Sequence, residues 1–486
     1  MVADPRDAKI AELERIVAEQ QETIAAQREI IRRLSAREVE LEEQVAKLTA
    51  RLSELEACLG QNSSNSGKPP SSDGPSERAQ RPKRKATGRK RGAQPGHKGH
   101  RRELLAPTTI EDHFPKTCSA CTQDLPSKPC DDPFRHQVVE IPAVTPDVTE
   151  HRLHAVQCTC GQVTRAKLPD GVPQGMCGPR LTALIGLLTG GFHMSRRSAV
   201  TLLGDVLGIR IALGTLSESE KRVSDALAVP VEQLLPYVCQ APVKHVDATG
   251  WRQAGQPRSL WTIATTLATV FAITLDGTRR HLCALLTTVY GVLVSDRAPQ
   301  FTFWAMHQRQ ICWAHLLRKF LAFSQDKTSE VAKLGEHLLL FSHVLFHKWH
   351  RVRDGTLSHE DFRRETMLLR TCVENLLQRG VDFGLRGVQG SCADILAHRQ
   401  ALWTFIDTPG IEPTNNHGER ELRAFVLWRK KSFGSQSERG SRFAERVMTA
   451  VHTLRKQQRH VLSFLTATVD AALHHQVSPS LLPSAP

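Results

Sequence analysis

Apolar residues recur every three or four positions through the first 60 residues: Ile10, Leu13, Val17, Ile24, Ile31, Leu34, Leu41, Val45, Leu48, Leu52, Leu55 and Leu59. Only Gln20, Gln27 and Glu38 interrupt the heptad, and neither Pro nor Gly occurs between Ala11 and Leu59. A stripe this narrow has no broad face to press against a globular core, so it is buried by pairing with another helix. The spacing therefore predicts a long helix and a coiled coil over 1–60, with self-association as its consequence. A long helix folded back on its own chain is the plainer alternative. The three polar seam positions cost stability but can fix register and oligomer state.

At Gly60 the pattern stops. Residues 61–105 begin with a Ser-, Pro-, Gly- and Asn-rich stretch that offers little to bury and reads as a flexible connection. Arg81, Lys83, Arg84, Lys85, Arg89, Lys90, Arg91, Lys98, Arg101 and Arg102 follow with no acidic residue among them. They account for most of the formal net charge of +14. Such a block repels itself when free and gains by releasing counterions from a phosphate backbone. These ten cations are assigned to largely sequence-independent DNA contact, since the segment shows no reading helix.

The longest charge-free apolar-rich run, Leu260 to Leu275, is rich in Thr. It is shorter than the roughly 20 residues of a membrane helix, and its Thr content favours strands, so no membrane partner is expected. The start, MVADPRDAKI, has no apolar stretch behind a basic patch, so no export signal is expected. The 12 Cys then read as reduced thiols or metal ligands rather than a disulfide framework, in a cytoplasmic, nucleoid-associated protein.

Residues 106–175 read as short strands and turns, with a strand pattern in HQVVEIPAV. Cys118 and Cys121 (CSAC) and Cys158 and Cys160 (CTCG) could place four thiolates around one zinc ion and staple a thin core. The CxC half is the weaker signal, and Cys130, His113 and His136 are substitutes. Residues 176–240 read as helices, with Ser195 able to cap one of them. Exposed Arg196 and Arg197 suit a helix-turn-helix-like DNA reader, and a plain helical linker domain suits the same pattern equally.

From 241 to 325 the pattern turns to strands. Asp247 ends the apolar run VKHV, and Asp296 ends GVLVS. Adjacent strands lie about 4.8 Å apart, so two carboxylates at strand ends can sit side by side. Their repulsion is relieved by a cation, and an all-oxygen site suits Mg²⁺. Residues 326–400 read as helical. In 401–466, Glu419 lies three positions after Asn416, the spacing of a capping box, which is its plainest reading. Arg420, Arg423, Arg429, Lys430 and Lys431 surround it, so it could instead complete a metal site whose basic neighbours hold phosphates. Residues 467–486 form a tail. Two metal ions about 3.5–4 Å apart can activate a water or a 3′-hydroxyl in phosphodiester transfer. A tyrosine nucleophile is poorly supplied, with Tyr237 and Tyr290 alone in the chain, and no GxSxG elbow occurs.

Several strings, in order, carry a resemblance to one family: the N-terminal heptads, NSSNSGKPPSSDG, GAQPGHKGHRR, CSAC with CTCG, VDATGW, GVLVSDR, RQICWAHLLRKF, PTNNHGERELR and WRKKSFGSQSERGSRF. Together they resemble the insertion-sequence 66 family of bacterial transposases, from the zipper to about Thr466. The resemblance implies a multidomain α+β chain: an N-terminal coiled coil, a small zinc-ribbon-like β module, a helical domain and an RNase H-like catalytic core with a helical insertion. It implies an Asp-Asp-Glu triad of Asp247, Asp296 and Glu419 binding Mg²⁺, with Mn²⁺ as substitute. Asp276, which fits a turn beside Gly277, and Glu412 rank below them. Cys312 and His315 match the family's CxxH signature in a supporting role; read on their own they are more readily packed in a core, and His315 could instead orient the Asp296 loop. Arg420 and Arg423 are assigned a supporting role as well. CTC departs from the family's usual second CxxC and bears on zinc alone.

The implied activity is cleavage at insertion-sequence ends and transfer of the 3′ ends into target DNA. The zipper would pair two protomers, and small accessory proteins of the same element are further partners. A non-catalytic coiled-coil DNA-binding relative and an RNase H-like nuclease without strand transfer are the alternatives.

Overall fold

The computed structural model of the chain describes residues 5–59, 103–385 and 387–484. The cations from Arg81 to Arg102 assigned to DNA lie outside the described residues. The chain divides into two compact units. One takes in the N-terminal helix and residues 315–396; the other takes in residues 103–314 and 397–484.

The heptad stretch forms one unbroken helix, α1 (Pro5–Leu59). Its seam residues Ile31, Leu34, Leu41, Val45 and Leu48 are exposed in the single chain.

The cysteine-bearing stretch contains less regular structure than its sequence predicts. HQVVEIPAV is not a strand: Val138 and Ile141 are exposed and pair with no neighbouring strand. Alternation alone does not hold a strand that lacks a partner ladder and an apolar face to cover. The described hairpin there is β1 (Ala155–Gln157) with β2 (Val163–Arg165), antiparallel.

Four helices follow: α2 (Pro179–Gly186), α3 (Arg196–Leu207), α4 (Leu213–Ala226) and α5 (Ala228–Cys239). Ser195 caps α3 by accepting the Ser198 N–H at 3.1 Å. Arg196 donates from Nε and Nη2 to buried Glu220 on α4, at 2.9 and 2.6 Å. This pair holds α3 on α4, and both Arg196 and Arg197 remain exposed, as expected. Val223, Leu227, Leu234 and Val238 share one core with the sheet residues Val246, Trp261, Ile263 and Leu293. The second half of this helical stretch is thus a layer of the core domain.

The central sheet has five strands in the order β5-β4-β3-β6-β7. They are β3 (Val243–Gln253), β4 (Gln256–Ala264), β5 (Thr269–Thr274), β6 (Val292–Ser295) and β7 (Arg309–Ile311). β3, β4 and β5 form an antiparallel meander, and β6 and β7 add in parallel on the other side of β3. The Thr-rich run is two strands with a reversal at 265–268, where Thr265 Oγ1 accepts the Ala268 N–H at 3.1 Å. α6 (Arg279–Leu286) lies between β5 and β6. This mixed order is consistent with an RNase H-like core.

After β7 come α7 (Trp313–Ser324), then α8 (Ser329–Arg353) and α9 (His359–Asp382), a packed helical hairpin, and α10 (Val388–Ala397). Ser358 caps α9, and Trp349 of α8 meets Phe362 of α9 at 5.8 Å between centroids. Two short turns, α11 (Arg399–Leu402) and α12 (Thr404–Asp407), lead to α13 (Asn416–Ser432), α14 (Glu438–Lys456) and α15 (Val461–Leu473).

α14 runs along the free edge of β5. Thr453 Oγ1 accepts the Thr269 N–H and Thr449 Oγ1 accepts the Phe271 N–H, each at 3.1 Å, and Glu445 Oε1 accepts the Ile273 N–H. Four helical residues rise about 6 Å and two strand residues about 6.7 Å, so acceptors at every fourth helix position meet alternate strand amides. The edge is thereby closed to other strands. Thr449→Val keeps the shape but leaves a buried N–H without its acceptor. It is expected to lower stability by about 1–3 kcal/mol in urea unfolding; an unchanged midpoint would show that Phe271 finds another partner.

Candidate active site

β3 and β6 pair in parallel, with Val243 opposite Val292, Lys244 opposite Leu293 and His245 opposite Val294. Each pair is separated by 49 positions, and the same 49 separate Asp247 from Asp296. Continuing the register therefore brings the two aspartates level, one on β3 and the other just past β6. Asp247 Oδ1 accepts the Ala248 N–H at 2.8 Å, and Asp296 Oδ1 accepts the Ala298 N–H at 3.0 Å. Glu419 stands in the first turn of α13, which packs across β3 and β4.

Burial first, and then the carboxylates of Asp296 and Glu419, push the Asp247 carboxyl up to about 7, against the pull of the Ala248 amide. Asp247 thus feels the charge of both other acids. Asp276 lies elsewhere, in a turn. Its Oδ1 accepts the Thr278 N–H at 2.9 Å and faces His281 Nδ1 at 2.8 Å, and these bonds, Thr278 first, hold it down at about 2. Glu412 is exposed and precedes α13.

The capping-box reading of Glu419 is not what forms. The cap of α13 is Asn415, and its side chain makes no cap bond. It turns to β3 instead, where Nδ2 donates to the Val246 carbonyl at 2.9 Å and Oδ1 meets His245 Nδ1 at 3.1 Å. Burial holds His245 down at about 4, so the ring is neutral and its Nδ1–H donates to this oxygen. The Asn415 N–H donates to Cys312 Sγ at 3.1 Å, and its carbonyl accepts the Glu419 N–H at 3.0 Å. One buried Asn thus fastens the start of the Glu419 helix to the residues beside Asp247.

Cys312 is buried and immediately precedes α7 rather than lying in it. Its Sγ lies within 4.8 Å of a Glu419 carboxylate oxygen, and His315 is the third residue of α7. Among the described residues, Cys118, Cys121, Cys158 and Cys160 are not gathered around a common point. Each cysteine pair is nevertheless set in a tight turn. Thr122 N–H donates to the Cys118 carbonyl at 2.9 Å, and Gly161 N–H to the Cys158 carbonyl at 2.8 Å. Bonds from the Cys121 and Cys160 backbones, the largest influences, lower the Cys118 and Cys158 thiols respectively. Cys130, His113 and His136 are solvent-facing.

Several residues at the site carry no obvious sequence signal. Arg309 on β7 is fully buried and donates from Nη2 to the Asp296 carbonyl at 3.1 Å, steadying the turn that carries this acid. On α13, Glu421 receives His452 Nδ1 at 2.6 Å and Lys456 Nζ at 3.3 Å, and Lys456 also meets His417 Nε2 at 2.7 Å. These groups tie α13 to α14. Against the burial that would raise it, the His452 bond and the Lys456 charge hold Glu421 at about 2.

Of the basic residues on α13, Arg420, Arg423, Lys430 and Lys431 are exposed. Arg429 is half-buried and donates to the Gly250 carbonyl and, at 3.4 Å, to Thr249 Oγ1, so it braces β3 rather than facing solvent as the DNA reading expects.

Residues 174–443, which include Asp247, Asp296 and Glu419, match the family model described as Transposase IS66 family. The chain belongs to this family. The expected kinship is thus met over more than half of the sequence, and with it comes the expectation of a DNA partner. Residues 4–103, with α1 and the basic segment, match a separate family of unknown function, DUF6444. Residues 104–173, with both cysteine pairs, fall between the two matches. No curated protein matches the sequence. Among the described residues no helix is long and apolar enough to cross a membrane.

Proposed function

We propose that this family member is a metal-dependent DNA transposase. In this reading Asp247, Asp296 and Glu419 hold the catalytic cations, the ends of an insertion sequence are cut, and the freed 3′-hydroxyls are joined to target DNA. The observation that carries the reading is the shared 49-residue offset, which levels Asp247 with Asp296 on adjacent parallel strands while Asn415 fastens the Glu419 helix to the same strand. The donor set fits a divalent ion. Burial first, and then the nearby carboxylates of Asp296 and Glu419, hold Asp247 up at about 7, a cost that a bound cation would relieve, and an oxygen-only set suits Mg²⁺ or Mn²⁺. When bound, such ions supply charge stabilisation at the phosphoryl oxygens and a more acidic attacking hydroxyl.

The chain's own residues then orient and bind. Asn415 and Arg309 fix the acids, and exposed Arg420, Arg423, Lys430 and Lys431 meet DNA phosphates. The exposed seam of α1 supports pairing of two protomers, which would hold two element ends together. The two cysteine turns, with amides lowering one thiol in each, support a zinc staple formed when the turns close on the ion.

The test is incubation of the full chain with labelled DNA carrying the element's terminal repeats, with Mg²⁺ or Mn²⁺ and a target duplex. The parent is expected to yield cut ends and joined products, and Asp296→Asn neither, with DNA binding retained. Cleavage without joining would establish the nuclease alternative, binding without cleavage the non-catalytic one, and full activity of Asp296→Asn would remove the proposed metal role of Asp296.

A further inference from the structure

α13 ends at Ser432, and the next residue, Phe433, stands in the left-handed region at φ 60° and ψ 9°. Helices often end on such a residue, but the position favours Gly because a Cβ crowds the following carbonyl. Burial does not offset this cost, since the Phe433 residue is 77% exposed. An aromatic ring held in a strained conformation and left in water has no structural return among the described residues.

The ring's mount is rigid. Gly434 follows at φ 112°, where an added Cβ would come within 2.1 Å of the Arg252 carbonyl oxygen. Ser435 N–H donates to that same carbonyl at 2.9 Å, and Ala254 N–H donates to the Ser435 carbonyl at 2.9 Å. Trp251 Nε1 donates to Ser435 Oγ at 3.2 Å. The loop is thereby stitched to the far end of β3, whose other part carries Asp247.

The surroundings are cationic. Lys430, Lys431 and Arg252 are exposed, no acidic residue occurs between Glu421 and Glu438, and none occurs between Asp247 and Asp276 through the facing strands. An exposed ring beside exposed cations is the pairing that holds single-stranded nucleic acid, with the charges on the phosphates and the ring on a base. An apolar protein partner would be poorly matched by this charge.

We propose that Phe433 is a stacking platform for one unpaired nucleobase of the DNA that this protein processes. The inference rests on the DNA-transposase reading and adds a base contact to it. Phe433 follows Glu419 by 14 positions, so at 1.5 Å per residue the platform stands about 21 Å along the helix from the acid. The base it takes is several nucleotides from the scissile phosphate, in a stretch that is frayed or splayed open.

The experiment is binding of the full-length chain, in EDTA, to a single-stranded oligonucleotide carrying one 2-aminopurine, a base whose fluorescence reports stacking. Phe433→Gly relieves the left-handed strain, so its melting midpoint is expected to equal or exceed that of the parent. Its affinity is expected to fall on the order of tenfold, with the fluorescence change at saturation lost. Phe433→Trp is expected to restore both. Unchanged affinity and fluorescence in Phe433→Gly would overturn the proposal, and so would a lowered melting midpoint, which would make the ring a structural element. Because no metal is present, the outcome is separate from catalysis. A parent that cleaves DNA and a Phe433→Gly protein that stacks the probe as well as the parent would refute the platform and leave the transposase reading intact.

Discussion

Asp247→Asn is expected to lower Mg²⁺-dependent DNA cleavage by on the order of a thousandfold and, with metal withheld, to make the protein more stable. Both effects come from one crowded carboxyl. Burial, with Asp296 and Glu419 nearby, raises Asp247 to about 7 in the folded chain from an ordinary 3.8. A raised acid favours the folded state fully only below its unfolded value, and that contribution is lost as pH climbs through the folded one. Below about pH 4 parent and variant should therefore melt alike. At pH 8 the parent ionises a buried group among like charges, and each tenfold gain in proton affinity on folding costs about 1.4 kcal/mol once the proton is gone. A difference on the order of 2–4 kcal/mol is expected. Asn removes the charge, keeps the shape and still accepts the Ala248 N–H. Thermal melts at the two pH values in EDTA, repeated with Mg²⁺, read this directly. Mg²⁺ should stabilise the parent and leave the variant where it was. A variant less stable than the parent at pH 8 would mean that the Asp247 carboxyl is satisfied without a cation.

Asp247 follows VKHV but stands inside β3 rather than at its end, since the strand continues to Gln253. Asp296 was legible because it closes an apolar run that becomes β6. The Thr-rich stretch was legible as strands for the same reason. What sequence could not supply was the partner of each group. Nothing in the sequence around Thr449, Thr453 and Glu445 marks them, yet they cap the edge of β5, because a row of unpaired edge amides needs acceptors. Arg309 carries no sequence signal, yet it is buried under the Asp296 turn, where it donates to the Asp296 carbonyl. In the opposite direction, HQVVEIPAV has strand alternation but no sheet to join, so pattern without a partner remained irregular. The Glu419 helix was placed correctly at its start, but its cap residue uses its side chain on tertiary contacts rather than on the local bond that composition suggests.

That displaced cap defines the second large effect. Asn415→Ala is expected to reduce the turnover rate about a hundredfold while leaving the KM for DNA within a small factor, because a displacement near 1 Å in a reacting group costs about that much. Asn415 is 1% exposed, and its amide bridges the first turn of α13 to both His245 and the Val246 carbonyl. With Ala, the carbonyl and the imidazole lose their partner in a buried setting, costing about 2–4 kcal/mol for the two groups together. The start of the Glu419 helix then loses its side-chain bridge to β3 and keeps only the 3.1 Å bond from the residue 415 N–H to Cys312 Sγ, which Ala retains. Asn415→Asp separates the two functions of the amide. It keeps an acceptor for His245 but sets a carboxylate oxygen against the Val246 carbonyl, so it should be at least as damaging as Ala. A purely structural Asn would lower stability in both variants and leave kcat per folded molecule unchanged. A positioning Asn lowers kcat at temperatures well below either melting midpoint and raises the Mg²⁺ concentration needed for half-maximal cleavage. Unaltered kcat and metal requirement in folded Asn415→Ala would show that α13 finds its place against β3 without this bond.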